Sequence, residues 1–185
     1  IPIAHKKVKS INKEKVLKKI KIILEDASIK KVGQNLKYDY IILKRHGIEI
    51  TSIEDTMLLS YTLDAGLNRH NLDILAEIHL NHKTITYKDL VGTGKKQLNF
   101  SDVDLEKATE YASEDADVTL RLYKILKTRL DEEKLNKIYE YFEKPMVKLL
   151  SQLEINGIKI DEQYLKKLSK KFSERLKIIE KKIYT

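Results

Sequence analysis

Tyr111-Ala-Ser-Glu-Asp115-Ala-Asp117-Val-Thr119 is the stretch from which the fold can be read. The periodicity around it predicts one long helix from Ser101 to near Leu130. Ser101 is suited to cap that helix, and Asp102, Asp104 and Glu106 follow where the helix dipole favours carboxylates. Ala108, Ala112, Ala116, Leu122, Tyr123, Leu126 and Leu130 recur at helical steps and predict an inward stripe. Asp115 falls on that stripe. Asp117 falls on the opposite side, one turn before Arg121, where a surface ion pair accounts for it. A carboxylate on a buried stripe is costly unless a cation or hydrogen bonds compensate it. Tyr111 lies one turn before Asp115, so a phenol and a carboxylate share one edge. A capped tyrosine–acid pair in a core would read the same way, and this stretch alone leaves both readings open.

The 185 residues allow one sizeable core, or one domain and part of another. Charged residues make up 35% and hydrophobic ones 42%, the balance of a soluble globular chain. No apolar run approaches the ~20 residues of a membrane span, so no membrane partner is expected. Ile1-Pro-Ile-Ala-His5 has no signal-peptide layout. Cysteine is absent, which excludes disulfides and thiolate metal sites and suits a cytoplasmic location. The net charge of +8 favours a polyanionic partner, although a lysine-rich composition arises from A/T-rich coding as well.

In chain order, Ile1–His5 reads as a strand, and Asn12 caps a helix of Lys13–Glu25 that buries Val16, Leu17, Ile20, Ile23 and Leu24. Ile29–Val32 is a short strand. Gly33-Gln34-Asn35 turns into a helix that ends before Gly47, and Ile48–Ile50 is a brief extended piece. Asp55 caps a short helix through Tyr61, and Asn71–Leu80 is another, with Leu72, Leu75, Ala76 and His79 inward. Asn81–Asn99 is looser. Asp131–Glu133 caps a helix to Asn156 that Pro145 bends or interrupts. Gly157 ends it, Ile158–Ile160 is extended, and Asp161 caps a last helix with an apolar seam of Leu165, Leu168, Phe172, Leu176, Ile179 and Ile183. The class is mixed α/β, with too few strands for its helices. That imbalance suggests that part of the sheet lies outside the chain, which reads as a piece of a longer protein.

Asn35-Leu-Lys-Tyr-Asp39 stands at the strand-to-helix turn. Asparagine as a plain N-cap explains Asn35; an Asp one turn later beside a tyrosine is a weak signal alone. Together with Tyr111/Asp115, it makes a second Asp preceded at i−4 by a hydrogen-bonding residue. Hard oxygen donors of this kind suit Mg²⁺ or Mn²⁺. Two such ions ~3.5–4 Å apart clamp the attacking and leaving oxygens of a phosphodiester.

Val32-Gly-Gln-Asn-Leu-Lys-Tyr-Asp39 and Tyr111–Thr119 resemble the second and third exonuclease motifs of the proofreading domain of bacterial DNA polymerase I. The resemblance extends through Ile1–His5, Asp55-Thr-Met57, Lys83–Tyr87 and Gln97–Phe100, and Met146–Asp161 is similar to the start of the polymerase domain. It implies a ribonuclease H-like DEDD exonuclease fold of the tyrosine subclass, a mixed sheet with flanking helices, lacking its N-terminal strands and followed by thumb helices. Residues 1–131 would be the exonuclease domain and 132–185 the beginning of the polymerase domain. The implied activity is 3′→5′ removal of mispaired nucleotides from a DNA 3′ end, with primer-template DNA and the rest of the polymerase chain as partners.

By the same resemblance Asp115 would bind the first of two Mg²⁺ or Mn²⁺ ions directly. Asp39 would hold the second through water, and Tyr111 would orient the attacking water. Gln34, Asn35, Tyr38, Met57, Arg69 and Tyr87 match positions that grip the terminal nucleotides, Tyr87 standing where the family has phenylalanine. Core packing rivals that role for Tyr38 and Met57, and a solvated loop position for Arg69. The first family motif, Asp-x-Glu, is not in the chain. Asp104-Leu-Glu106 and Asp131-Glu-Glu133 read as helix starts, where residues two apart diverge by about 200° and cannot converge on one ion. The chain by itself is therefore expected to be inactive, with an empty or weak metal site. The alternatives are a non-catalytic exonuclease-like scaffold of such a polymerase and a ribonuclease D-like RNA exonuclease.

Overall fold

The computed structural model describes residues 2–6 and 8–184. It divides into two compact units, one ending at Ile155 and the other comprising Asn156–Thr185. In the first, the order is α1 (Lys13–Glu25), β1 (Lys31–Gly33), α2 (Leu36–Arg45), β2 (Ile53–Asp55), α3 (Thr56–Asp64), α4 (Leu72–Leu80), α5 (Tyr87–Val91), α6 (Leu105–Glu132), α7 (Asn136–Ile138) and α8 (Lys144–Asn156). The second holds α9 (Glu162–Tyr184).

The spine is α6. Val118, Leu122, Leu126 and Leu130 on it are fully buried with Leu59 of α3, Leu75 and Ala76 of α4, and Tyr139. Each leucine so buried contributes roughly 1.5–3 kcal/mol. A second cluster joins Leu36, Tyr40, Ile50, Ile53 and Val147 around the sheet. A third, Val91, Val103 and Ala108, seats α5 against the start of α6. Among the described residues the sheet has two strands, β1 and β2, parallel, with Val32 opposite Glu54 and Gly33 opposite Asp55. Both strands run into a helix at the same edge of the sheet. That edge carries the turns of Gln34-Asn35 and Asp55-Thr56.

Several expected elements differ. Ile1 lies outside the described residues, and Pro2–His5 is not a strand. There Ile11 N–H donates to the Pro2 carbonyl at 2.9 Å, and Lys6 N–H ties the segment to the Ser101 carbonyl at 3.1 Å. Ile48–Ile50 lies outside regular structure with both isoleucines buried, and a strand not expected from the sequence follows at Ile53–Asp55. On α1 no residue is fully buried, and Ile23 is exposed. The long helix opens at Leu105, because Asp104 accepts from Glu106 N–H at 3.0 Å while Phe100–Asp102 forms a 3₁₀ turn. Its inward stripe runs Ala108, Tyr111, Asp115, Val118, Leu122. Ala112 and Ala116, about 100° further round, are exposed and line a cleft of about 510 Å³ with Pro2, Ile3 and Phe100. Asp131–Glu133 ends α6 rather than capping the next helix.

The interruption at Pro145 is a π-helical turn over Tyr139–Glu143, just before α8. Without its N–H, Pro145 cannot make an ordinary helical bond, and the widened turn accommodates it. Gly157 at φ 71° follows α8, and Asp161 caps α9 through Tyr164 N–H at 2.9 Å. The seam of α9 is largely exposed within its own unit.

Tyr139 is completely buried, and its hydroxyl accepts from Asp55 N–H at 3.0 Å. Removing the oxygen strands a buried donor, at a cost of about 1–3 kcal/mol. Tyr139→Phe is therefore expected to lower the melting temperature by roughly 2–12 °C at this size, with the helical circular dichroism below the transition unchanged. An unaltered melting curve would mean that water takes the hydroxyl's place.

Candidate active site

The two motif-bearing turns meet through Asp55, which is 2% exposed. Its carboxylate accepts from Asn35 N–H at 3.0 Å and Leu36 N–H at 2.8 Å, the open end of α2. It also accepts from Met57 N–H at 2.9 Å, the open end of its own helix. One side chain thus caps two helices, each bond to a charged acceptor being worth about 1.5–3 kcal/mol. Burial pushes its pKa up, and these backbone donors pull against that. The parallel register, Gly33 opposite Asp55, places it there.

Asn35 is consequently not a side-chain cap. It adopts φ 56°, ψ 48°, a left-handed conformation that asparagine tolerates, and its amide makes no capping bond. Gln34 is held at both ends of its amide. Its nitrogen donates to the His70 carbonyl at 2.7 Å, and its oxygen accepts from Thr56 Oγ1 at 2.5 Å. Met57 and Arg69 line one cleft of about 710 Å³ with Tyr61, His70 and Ile74. Ser60 Oγ lies 2.9 Å from His70 Nδ1, which steadies that wall. Tyr38 is 66% exposed on α2 and is not part of the core.

Asp39 is open to solvent on its outer side, yet the protein around its carboxyl raises its pKa, with a smaller push from the charge of Asp55. On α6, burial raises the pKa of Asp115; its hydrogen bond with Tyr111 lowers it, and the charges of Asp73 and Glu114 add to the rise. Tyr111 is pushed up to about 12, by burial first and then by the charge and hydrogen bond of Asp115. The main influences on Asp39 and Asp115 are burial, hydrogen bonding and neighbouring acids, and among the described residues no lysine or arginine is one of them. Unpaired, partly desolvated carboxylates are the donor type that a hard divalent cation takes. Among the described residues, however, no three His, Cys, Asp or Glu gather into a ligand group. The donors fit in kind, and two anchors are present.

Tyr87 stands beside Tyr111. Their rings lie 6.4 Å apart, edge to face, and Phe100 completes the trio at 6.3 Å from each. Phe100, Asp55, Asp73 and Glu114 were not among the site residues read from the sequence. Asp55 signalled only a local cap, and Glu114 was hidden beside the more conspicuous Asp115.

Because its folded-state pKa is raised, ionising Asp115 costs stability in the ion-free chain. That cost is absent where both folded and unfolded forms are protonated. It grows as pH rises from the unfolded value through the folded one. Asp115→Asn is therefore expected to melt above the parent at pH 7 without divalent ions. The difference should vanish as the pH falls into the carboxylate range, and a pH-independent difference would assign the effect to packing.

A family model described as 3′-5′ exonuclease matches residues 3–131. The chain is 49% identical over 168 residues to DNA polymerase I of Rhizobium leguminosarum, covering 91% of the chain and 16% of that protein. It is 37% identical over 191 residues to DNA polymerase I of Pseudomonas aeruginosa, covering 100% and 21%. Against DNA polymerase I of Borreliella burgdorferi it is 40% identical over 184 residues, covering 99% and 20%. The chain therefore spans about a fifth of the length of these relatives. Its fold is similar to a solved chain described as the POL domain of Pol1 from M. smegmatis in complex with DNA primer-template and dNTP. The TM-score is 0.69 at 18% identity, over 91% of this chain and 26% of that one. Among the described residues no helix is long and apolar enough to cross a membrane.

Proposed function

Since the chain belongs to the 3′-5′ exonuclease domain family of DNA polymerase I, we propose that it removes nucleotides from DNA 3′ ends as the proofreading part of such a polymerase. The observation that carries this reading is the hydrogen-bonded Tyr111/Asp115 pair on the inward face of α6, facing the rings of Tyr87 and Phe100. In this reading residues 1–131 are a ribonuclease H-like exonuclease domain, and 132–185 begin the polymerase domain.

Asp115 would hold one divalent cation and Asp39 a second. Bound divalent cations would supply Lewis-acid stabilisation of the attacking and leaving oxygens. The chain's own groups do the positioning. With its pKa pushed up to about 12, Tyr111 stays protonated at neutral pH. It can orient a water by hydrogen bonding but cannot act as its base. Asn35, whose backbone is secured by Asp55, has its amide free of capping duty and able to meet a nucleotide. Met57 and Arg69 present an apolar surface and a cation from one cleft, suited to a base and a phosphate. Tyr87 offers a ring on which any base can stack.

In a full-length polymerase carrying this domain, Asp115→Ala is expected to abolish 3′→5′ digestion and leave nucleotide addition nearly unchanged. Retained Mg²⁺- or Mn²⁺-dependent digestion would sink the assignment. Tyr111→Phe keeps the ring and removes the hydroxyl. It should slow single-turnover cleavage by roughly 10–1,000-fold, whereas an unchanged rate would return Tyr111 to a packing role.

A further inference from the structure

The segment between α4 and α5, residues 81–86, has no regular structure, yet it sets where Tyr87 stands. Two carboxylates from two helices grip it. Glu114 of α6 lies with one oxygen 2.8 Å from His82 Nε2, and its other oxygen accepts from Ile85 N–H at 2.7 Å. Asp73 of α4 accepts from Thr84 Oγ1 at 2.8 Å, and Thr84 is buried. Immediately afterwards Thr86 and Asp89 form a reciprocal capping box at the start of α5, and Tyr87 is the first residue of that helix. Four consecutive residues, 82–85, thus carry three side-chain-mediated anchors, and the last is two residues before Tyr87. Tyr87 itself is 46% exposed and so not held by burial alone.

We propose that Glu114 is a positioning residue for recognition of the terminal base. It pins the 82–85 strap so that the Tyr87 ring is held beside Tyr111 and Phe100. This rests on the reading of Tyr87 as the ring that stacks on the terminal nucleotide. Glu114 neighbours Asp115 in sequence, and its two oxygens serve the strap; its charge also acts on Asp115, an effect that Glu114→Ala and Glu114→Gln share, whereas only Glu114→Ala releases the strap. The division of labour is geometric. Adjacent residues on α6 hold the chemistry and the substrate platform.

The test uses the full-length polymerase and single-stranded DNA. Glu114→Ala is expected to raise the exonuclease KM by about 5- to 150-fold, the range for losing one base–aromatic stack. Any change in its kcat or in the Mn²⁺ concentration for half-maximal rate should be matched by Glu114→Gln, which removes the same charge beside Asp115. Glu114→Gln keeps an acceptor for Ile85 N–H and a polar group for His82, and should restore KM to within about threefold of the parent. In the double variant with Tyr87→Ala, KM should equal that of Tyr87→Ala alone, because both act through one ring.

An unchanged KM in Glu114→Ala with a raised KM in Tyr87→Ala overturns the positioning role alone. An unchanged KM in Tyr87→Ala removes the reading beneath it as well. A fall in kcat with a shifted Mn²⁺ requirement and normal KM overturns the proposal in favour of an effect on Asp115. If Glu114→Ala does not fold, Thr84→Val decides. It loosens the same strap from the Asp73 side, so a raised KM supports the role and an unchanged one overturns it.

Discussion

The first half of the candidate site hangs on a buried carboxylate that, among the described residues, pairs with no lysine or arginine. Asp55 is tolerated at 2% exposure because backbone N–H groups converge on it from two helix ends. Those ends are electropositive, and their unpaired donors must be satisfied somehow. Using one side chain for both has a structural consequence: α2 and α3 cannot move independently. Asn35 on one helix and Met57 on the other are fixed relative to each other by the same two oxygen atoms. Asn35 also escapes the usual fate of an asparagine at this position, since its amide is not spent on the helix.

The second half of the site depends on how α6 is rotated. Val118, Leu122, Leu126 and Leu130 are fully buried and leave the helix one orientation. Going back along the same face by helical steps gives Asp115, Tyr111 and Ala108. The hydrophobic half therefore aims the polar half. Adjacent Glu114 points to the side, where it meets the strap, and Asp117 faces solvent and pairs with Arg121 at 3.4 Å. Four acidic or polar positions within seven residues acquire different environments from rotation alone.

Much of this was legible in the sequence, for identifiable reasons. Helices were found where apolar spacing and local caps agree, as at Asn12 for α1, Gly47 after α2 and Asp161 for α9. The inward placement of Asp115 followed from counting helical steps back from Leu122. The misplaced features share a cause, which is dependence on partners distant in sequence. Alanines at 112 and 116 read as core because small apolar residues carry little information about which neighbour they face. Ser101 is suited to cap a helix, but the 3₁₀ turn at Phe100–Asp102 moves the cap to Asp104. The strand at Ile53–Asp55 is short, with two acidic residues of three, and only its parallel pairing with Lys31–Gly33 makes it a strand. The role of Asp55 needs that pairing too, so no local pattern could have disclosed it.

The family match ends at residue 131, whereas the compact unit continues to Ile155. Tyr139 explains why. Its ring fills the core against Leu59 and Leu126, and its hydroxyl takes the backbone N–H of Asp55. Lys144 then bonds Glu54 at 3.0 Å and Glu140 at 2.9 Å, and it lies over the Tyr139 ring. Strand β2 is thus held on one side by the parallel pairing with β1 and on the other by side chains from beyond residue 131. The π-helical turn matters here. Widening the helix before Pro145 changes the phase between Tyr139 and Val147, and both reach the core around β2. A cut at residue 131 would leave the Asp55 N–H, the Glu54 carboxylate and the apolar face around Leu59 without these partners. The exonuclease family model therefore marks a narrower unit than the packing does. The residue that joins both helix ends at the site is itself secured from outside the matched region.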